Sequence, residues 1–167
     1  ADSAALFQSL KESAYDVHYV TMHNIFANTN SDYPILRFSS NAGLSMDTSS
    51  NYSFGVQYTG AHNATGHLKS ASANRFENIL GRGGSTARWV QNGYFYIYGA
   101  GTSSRYTYIT MQSQGTDDAG NALGYYGGGQ YAVANTVNAF QITYSGSVTF
   151  SGKISLYGMK EVSVWVV

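Results

Sequence analysis

The chain has 167 residues, with nine basic and nine acidic side chains, 19 glycines, 15 tyrosines, one proline and no cysteine. That balance excludes a basic field of the kind that draws in nucleic acid or an anionic membrane, and the missing cysteines exclude disulfide staples and cysteine-based zinc sites. The length suits one domain with a core of its own, and the residues show neither a signal-peptide pattern nor an apolar run long enough to span a bilayer.

Tyrosine fits a pleated, half-buried surface, and glycine supplies turns, so the composition predicts an all-β domain. In ADSAALFQSLKES, Leu6, Phe7 and Leu10 share a helical face, while Ala5, Phe7 and Ser9 alternate as a strand would. At most one short helix is expected, near residues 4–12. YDVHYVTMHNIF reads as a central strand, with Val20, Met22 and Phe26 on one face and Val17, Tyr19, Thr21 and Ile25 on the other. NTNSDYP is a turn, with Pro34 set before the strand ILRFSS, where its missing donor does least harm. YSFGVQY follows the polar loop NAGLSMDTSSN and places Tyr52, Phe54, Val56 and Tyr58 on one face.

Residues 59–74 are polar and glycine-bearing and are expected to form a long loop. RFENILG, TARWVQ, YFYIYG and RYTYITMQS read as four short strands. QGTDDAGNALGYYGGGQYAVANTV is expected to be a second long loop region. NAFQITYSG, SVTFSGKISLYGM and EVSVWVV close the chain. Strands spaced by turn signals every ten residues or so predict a two-sheet antiparallel β-sandwich of jelly-roll type. With no repeat and no linker, residues 1–167 are expected to be a single domain. Because the chain opens on Ala1, the expectation is a piece of a longer protein or a processed form.

Candidate chemistry is sparse. His62 and His67 share the segment HNATGH but lack neighbouring carboxylates for a metal site. His18 and His23 are an odd number of residues apart on one strand and face opposite sides. Asp117 and Asp118 in TDDAGN have the look of a calcium loop without its ligand spacing. GRGGS at 81–85 lacks the ending of a phosphate loop and reads as a turn. For glycoside hydrolysis, Asp47 with Glu77 or Asp117 would have to be brought together by folding. No metal and no cofactor is expected. Asn51 and Asn63 open formal glycosylation sequons.

The aromatics remain. Sugar rings stack on tyrosine and tryptophan, and amides and arginine read their hydroxyls. Tyr125 and Tyr126 in LGYYGGGQY, Tyr131 in the same segment, and Trp89 beside Arg88 and Gln91 are the candidate glycan contacts. The terminal run EVSVWVV puts Val162, Val164 and Val166 on one face and Trp165 on the other. An apolar edge strand needs covering, either by another strand of the same domain or by another subunit; the expectation is a subunit interface at Val162, Val164, Trp165 and Val166.

Tyr15-Asp16, Tyr19 to Ile25, Leu36 to Gly43 and then Tyr52 follow an order of strand residues that also continues through Phe76-Glu77 to Arg82, Phe140 to Ile142 and Ile154 to Lys160. This pattern, ending on an ILE-x-LEU-TYR-GLY-x-LYS strand, resembles a C-terminal jelly-roll module of bacteriophage virion appendages, the tail fibres and tail spikes. Ala42 stands where that module often has glycine or an acidic residue, and seven residues follow Lys160. The resemblance implies a homotrimer in the virion, assembled in the bacterial cytoplasm, with no cofactor and with a tip that contacts a host-surface receptor. The function expected on this basis is non-enzymatic adhesion to a host glycan. The alternatives are a purely structural domain for capsid decoration, fibre capping or trimerisation, and a polysaccharide depolymerase.

Overall fold

A computed structural model describes residues 1–28, 32–82, 89–116, 119–146 and 148–160. It is all-β: two antiparallel sheets packed as a sandwich, with a strand order consistent with jelly-roll winding. In chain order the strands are β1 (Ala4–Gln8), β2 (Val17–Ala27), β3 (Pro34–Ser39), β4 (Tyr52–Gly60), β5 (Thr65–Ala73), β6 (Phe76–Glu77), β7 (Gln91–Tyr98), β8 (Thr107–Thr116), β9 (Ala122–Tyr131), β10 (Ala139–Tyr144) and β11 (Phe150–Met159). The smaller sheet runs β1-β10-β3-β6 and the larger β11-β2-β7-β8-β9-β4-β5. Backbone bonds in both directions between Asp2 and Phe150 tie the start of the chain to β11.

Alternation decides what lies between the sheets. On β7, Phe95 and Ile97 are fully buried while Tyr94, Tyr96 and Tyr98 alternate with them on the outer face. On β8, Ile109 and Met111 point in, and Tyr108, Thr110 and Gln112 point out. From the smaller sheet come Leu36, Phe38, Phe140 and Ile142, all but closed to solvent. Phe38, Tyr52, Phe76 and Tyr131 make one aromatic cluster, with Tyr52 edge-on to Phe76 at 5.1 Å between ring centres. Burying a side chain of this size stabilises by roughly 1.5–3 kcal/mol.

Several expectations need correction. Residues 4–8, open to either a helical or a strand reading, form strand β1, paired with β10 through Phe7 opposite Phe140. Most of 59–74 is the end of β4, a short 3₁₀ turn at Ala61–Asn63 and strand β5. Most of the described part of 115–131 is likewise strand, β9, which sits centrally between β8 and β4. Leu68 is the only large apolar residue of β5, and glycines break up β9, so neither strand shows a period-two hydrophobic signal.

The faces of β2 also differ from simple alternation. The register slips on both sides of Asn24, which takes a left-handed conformation (φ 52°) opposite Gly152 (φ 134°). That bulge shifts the parity, so Ile25 and Ala27 continue the buried face of Val20 and Met22, and Phe26 turns outward. His18 is buried and His23 exposed. Residues 86–88 of the expected strand TARWVQ, the pair Asp117 and Asp118, and the tail with Val162, Val164, Trp165 and Val166 lie outside the described residues.

Candidate functional site

The outer face of the larger sheet can be laid out row by row from the strand register. One row runs Tyr157, Tyr19, Tyr96, Thr110, Gly128, Gly55, Lys69 from β11 across to β5. The row on one side continues Thr21, Tyr94, Gln112, Tyr126, Gln57, His67, and the row on the other continues Tyr98, Tyr108, Gln130, Ser53. The sheet therefore changes character across its width. At the β11-β2-β7 end it carries a tyrosine ridge, with Tyr19 stacked on Tyr96 at 4.8 Å and Tyr96 on Tyr98 at 6.0 Å. Burial by these neighbours, then the hydroxyls of Tyr96, Tyr94 and Tyr157, push the Tyr19 phenol above its ordinary value.

Over β9 and β4 the ridge gives way to a trough. Gly128 and Gly55 leave its floor without side chains, and a Cβ built on Gly55 meets nothing within 4 Å. Two adjoining hollows share Gly55 and Lys69: one of about 670 Å³ reaching Tyr108 and Gln130, the other of about 530 Å³ reaching Tyr126, Gln57 and His67. Both fall within the roughly 300–1,000 Å³ typical of small-ligand sites. From Thr110 on β8 to Lys69 on β5 the floor spans three inter-strand spacings, about 14 Å.

One wall of the trough is held in place by a hydrogen bond. Tyr126 is 50% exposed, and its hydroxyl donates to Gln57 Oε1 at 2.5 Å. Tyr94 donates to Gln112 Oε1 at 2.7 Å, and the hydroxyls of Tyr98 and Thr110 are paired at 3.1 Å. Such cross-strand pairs fix the rings before any ligand arrives, which lowers the ordering cost of binding. Tyr108, 47% exposed, forms the opposite wall.

The four expected glycan contacts separate. Tyr126 lines the trough. Tyr125, its neighbour, points inward and is 3% exposed, its ring tilted against Tyr58 at 5.7 Å between centres. Tyr131 is 5% exposed, and its hydroxyl donates to Asp47 Oδ2 at 2.6 Å. Neither of these two rings offers a face to a sugar, because alternation on β9 turns them into the core. Trp89 is half-buried and lies against Gly120, where an added Cβ would come within 2.8 Å of its ring. The two segments expected to carry these contacts as loops are largely strands, β5 and β9. Tyr19, Tyr96, Tyr108, Gly55 and Lys69 were not among the candidates; the alternation in YFYIY was the available signal for the outward tyrosines.

The other candidate chemistry is occupied. Asp47 accepts from Tyr131, from Asn51 Nδ2 at 2.9 Å and from the Ser49 amide at 2.7 Å. Burial works to raise its pKa, but these hydrogen bonds together outweigh burial and hold it below the ordinary value. Glu77 is paired with Arg75 at 2.9 Å. Asn51 spends its side-chain amide on Asp47, whereas Asn63 is exposed in the 3₁₀ turn. No group of three or more metal-ligating side chains occurs among the described residues. Between the sheets, Tyr58, Leu68, Asn78, Arg82 and Tyr125 line a cavity of about 260 Å³, below the usual ligand-site range.

No protein-family model, no curated protein and no solved structure matches this chain.

Proposed function

We propose that this chain is the host-contacting domain of a bacteriophage tail fibre or tail spike, a non-enzymatic adhesin that works as a homotrimer in the virion and binds a cell-surface glycan. The observation that carries the reading is the trough: a side-chain-free floor at Gly55 and Gly128 between two half-exposed tyrosines, Tyr108 and Tyr126, with amides at its rim. Flat aromatic walls suit the C–H faces of a pyranose, and Gln57 and Gln130 suit its hydroxyls. The engagement of Asp47 and Glu77 in structural bonds favours binding over hydrolysis. The virion setting rests on the resemblance of the strand residues to the appendage module.

A glycan array with wild type, Tyr126→Ala and Gly55→Leu tests this. Gly55 has no positive φ and open space above it, so leucine fills the trough without straining the fold. Wild type is expected to bind at least one glycan, and each variant to lose about tenfold or more in affinity, as truncation or occlusion of a central contact does. Melting temperatures should stay within a degree or two. An array without any binder would refute adhesion and leave a structural virion domain. Sedimentation at micromolar concentration checks the trimer: a single-chain mass would refute it.

A further inference from the structure

We propose that the glycan taken by the trough is acidic, a polysaccharide bearing uronate-type carboxylates, and that Lys69 pairs with the carboxylate; this rests on the trough being the binding site. The argument is one of charge placement. The chain as a whole is neutral, with nine charges of each sign. Yet among the described residues no Asp or Glu occupies an outward strand position on the larger sheet. The cationic positions there are Lys153 at the β11 end and Lys69 at the trough, with His23 and His67.

Among the described residues, Lys69 is the one charged side chain that borders both hollows, directly across from Gly55. The ion pair among the described residues is Arg75–Glu77, so Lys69 has no carboxylate partner of its own there. Two of the nine carboxylates are held in structural bonds away from the trough, Asp47 by Tyr131 and Glu77 by Arg75. A neutral ligand would need no such arrangement. An acidic one finds a lysine bordering both hollows, uncharged aromatic walls and, among the described residues, no carboxylate at an outward strand position to repel it.

The test measures direct binding of polygalacturonate and hyaluronan, with dextran and mannan as neutral probes, at about 20 mM and about 300 mM salt. The acidic polymers are expected to bind, and to bind more weakly at the higher salt. Lys69→Gln should weaken them about two- to fivefold at low salt and flatten the salt dependence, Lys69→Arg should retain binding, and Lys153→Gln should leave it unchanged. Gly55→Leu should abolish it. If neutral probes bind as tightly as acidic ones and Gly55→Leu abolishes that binding, the trough is a glycan site but its ligand is not acidic. If acidic binding survives Gly55→Leu, or falls equally in Lys153→Gln, diffuse charge explains it and the Lys69 pairing is wrong. If none of the four polymers binds, the acidic assignment falls, and an empty array would then take the adhesion reading with it.

Discussion

Replacing Tyr131 by Phe removes one hydroxyl from the junction that holds the β3–β4 loop against both sheets. Tyr131 ends β9 and lies directly across from Tyr52, the first residue of β4. The Tyr52 hydroxyl accepts from the Phe38 amide at 3.0 Å and donates to the Asp47 carbonyl at 3.1 Å, while the Asp47 amide donates to the Phe38 carbonyl at 2.9 Å. Tyr131 adds the charge-assisted bond to the Asp47 carboxylate. Burial above all, and for Tyr131 the adjoining carboxylate, keep both phenols protonated far past neutral pH. A hydrogen bond to a charged group is worth roughly 1.5–3 kcal/mol, and Asp47 keeps two other donors and is only half-buried, so the expected loss is near 1.5 kcal/mol. For a domain of this size that lowers Tm by about 3–6 °C.

The pH dependence makes the reasoning refutable. Asp47 has a depressed folded-state pKa, so its contribution is present above the ordinary value of 3.8 and is lost as pH falls through the lower folded value. Once Asp47 is protonated the bond becomes a neutral one, worth about 0.5–1.5 kcal/mol. Urea unfolding of wild type and Tyr131→Phe should therefore show a gap at about pH 7 that narrows toward about pH 2.5. Equal gaps at both pH values, or none at neutral pH, would refute the charge-assisted bond. Binding to the glycan probes should be unchanged, because this ring is in the core; a loss of affinity at unchanged stability would return Tyr131 to the site.

His18 is buried on β2 with Nε2 2.7 Å from the Leu10 carbonyl, and burial lowers its pKa against the opposing pull of that bond and of Glu12. Folding therefore favours neutral His18, and stability should decline as pH falls below 6.5 until the lowered folded value is passed, no more steeply than about 1.4 kcal/mol per pH unit. His18→Leu should flatten that segment of the profile in urea titrations, and an unchanged slope would assign the titration elsewhere. Gly81 has φ +76°, and a Cβ there would sit 2.1 Å from the Tyr125 ring. Gly81→Ala should cost about 2–4 kcal/mol through left-handed strain and overpacking, read as a Tm drop of roughly 5–15 °C; a drop of a degree or less would mean the ring moves aside freely.

Where a strand buries one apolar face, its residues announced it. YFYIY and TYITMQ alternate, and β7 and β8 sit where that alternation predicts. The sheet edges and the trough were hard to read for the same reason: they are built from glycine and small polar residues. LGYYGGGQY reads as a loop because glycine lacks the side chain that marks a face, yet one of those glycines, Gly128, is part of the floor. TGHLKSASA hid Lys69 in the same way. Tyr125 and Tyr126 show the limit within one dipeptide, since only placing the strand decides which ring is buried and which exposed. The slip at Asn24 had no sequence counterpart, because an asparagine in a strand does not state that it will bulge.

The pairing order sets the order of events as the chain emerges during synthesis. β7, β8 and β9 are consecutive antiparallel neighbours, and β4 with β5 is a hairpin, so these pieces can form from local contacts alone. The first strands cannot: Ala4 waits for Thr143, and the outer side of β2 waits for β11, where Val17 meets Met159. Until the final stretch of chain is released, β2 presents an open edge and the smaller sheet lacks its middle strand β10. Such long-range closure places folding among the slower all-β cases, in milliseconds to seconds, and leaves a nascent intermediate with unpaired edges that invite neighbouring chains. A chain cut off before residue 139 would have every strand of the larger sheet but β11, and no β10 to join β1 to β3.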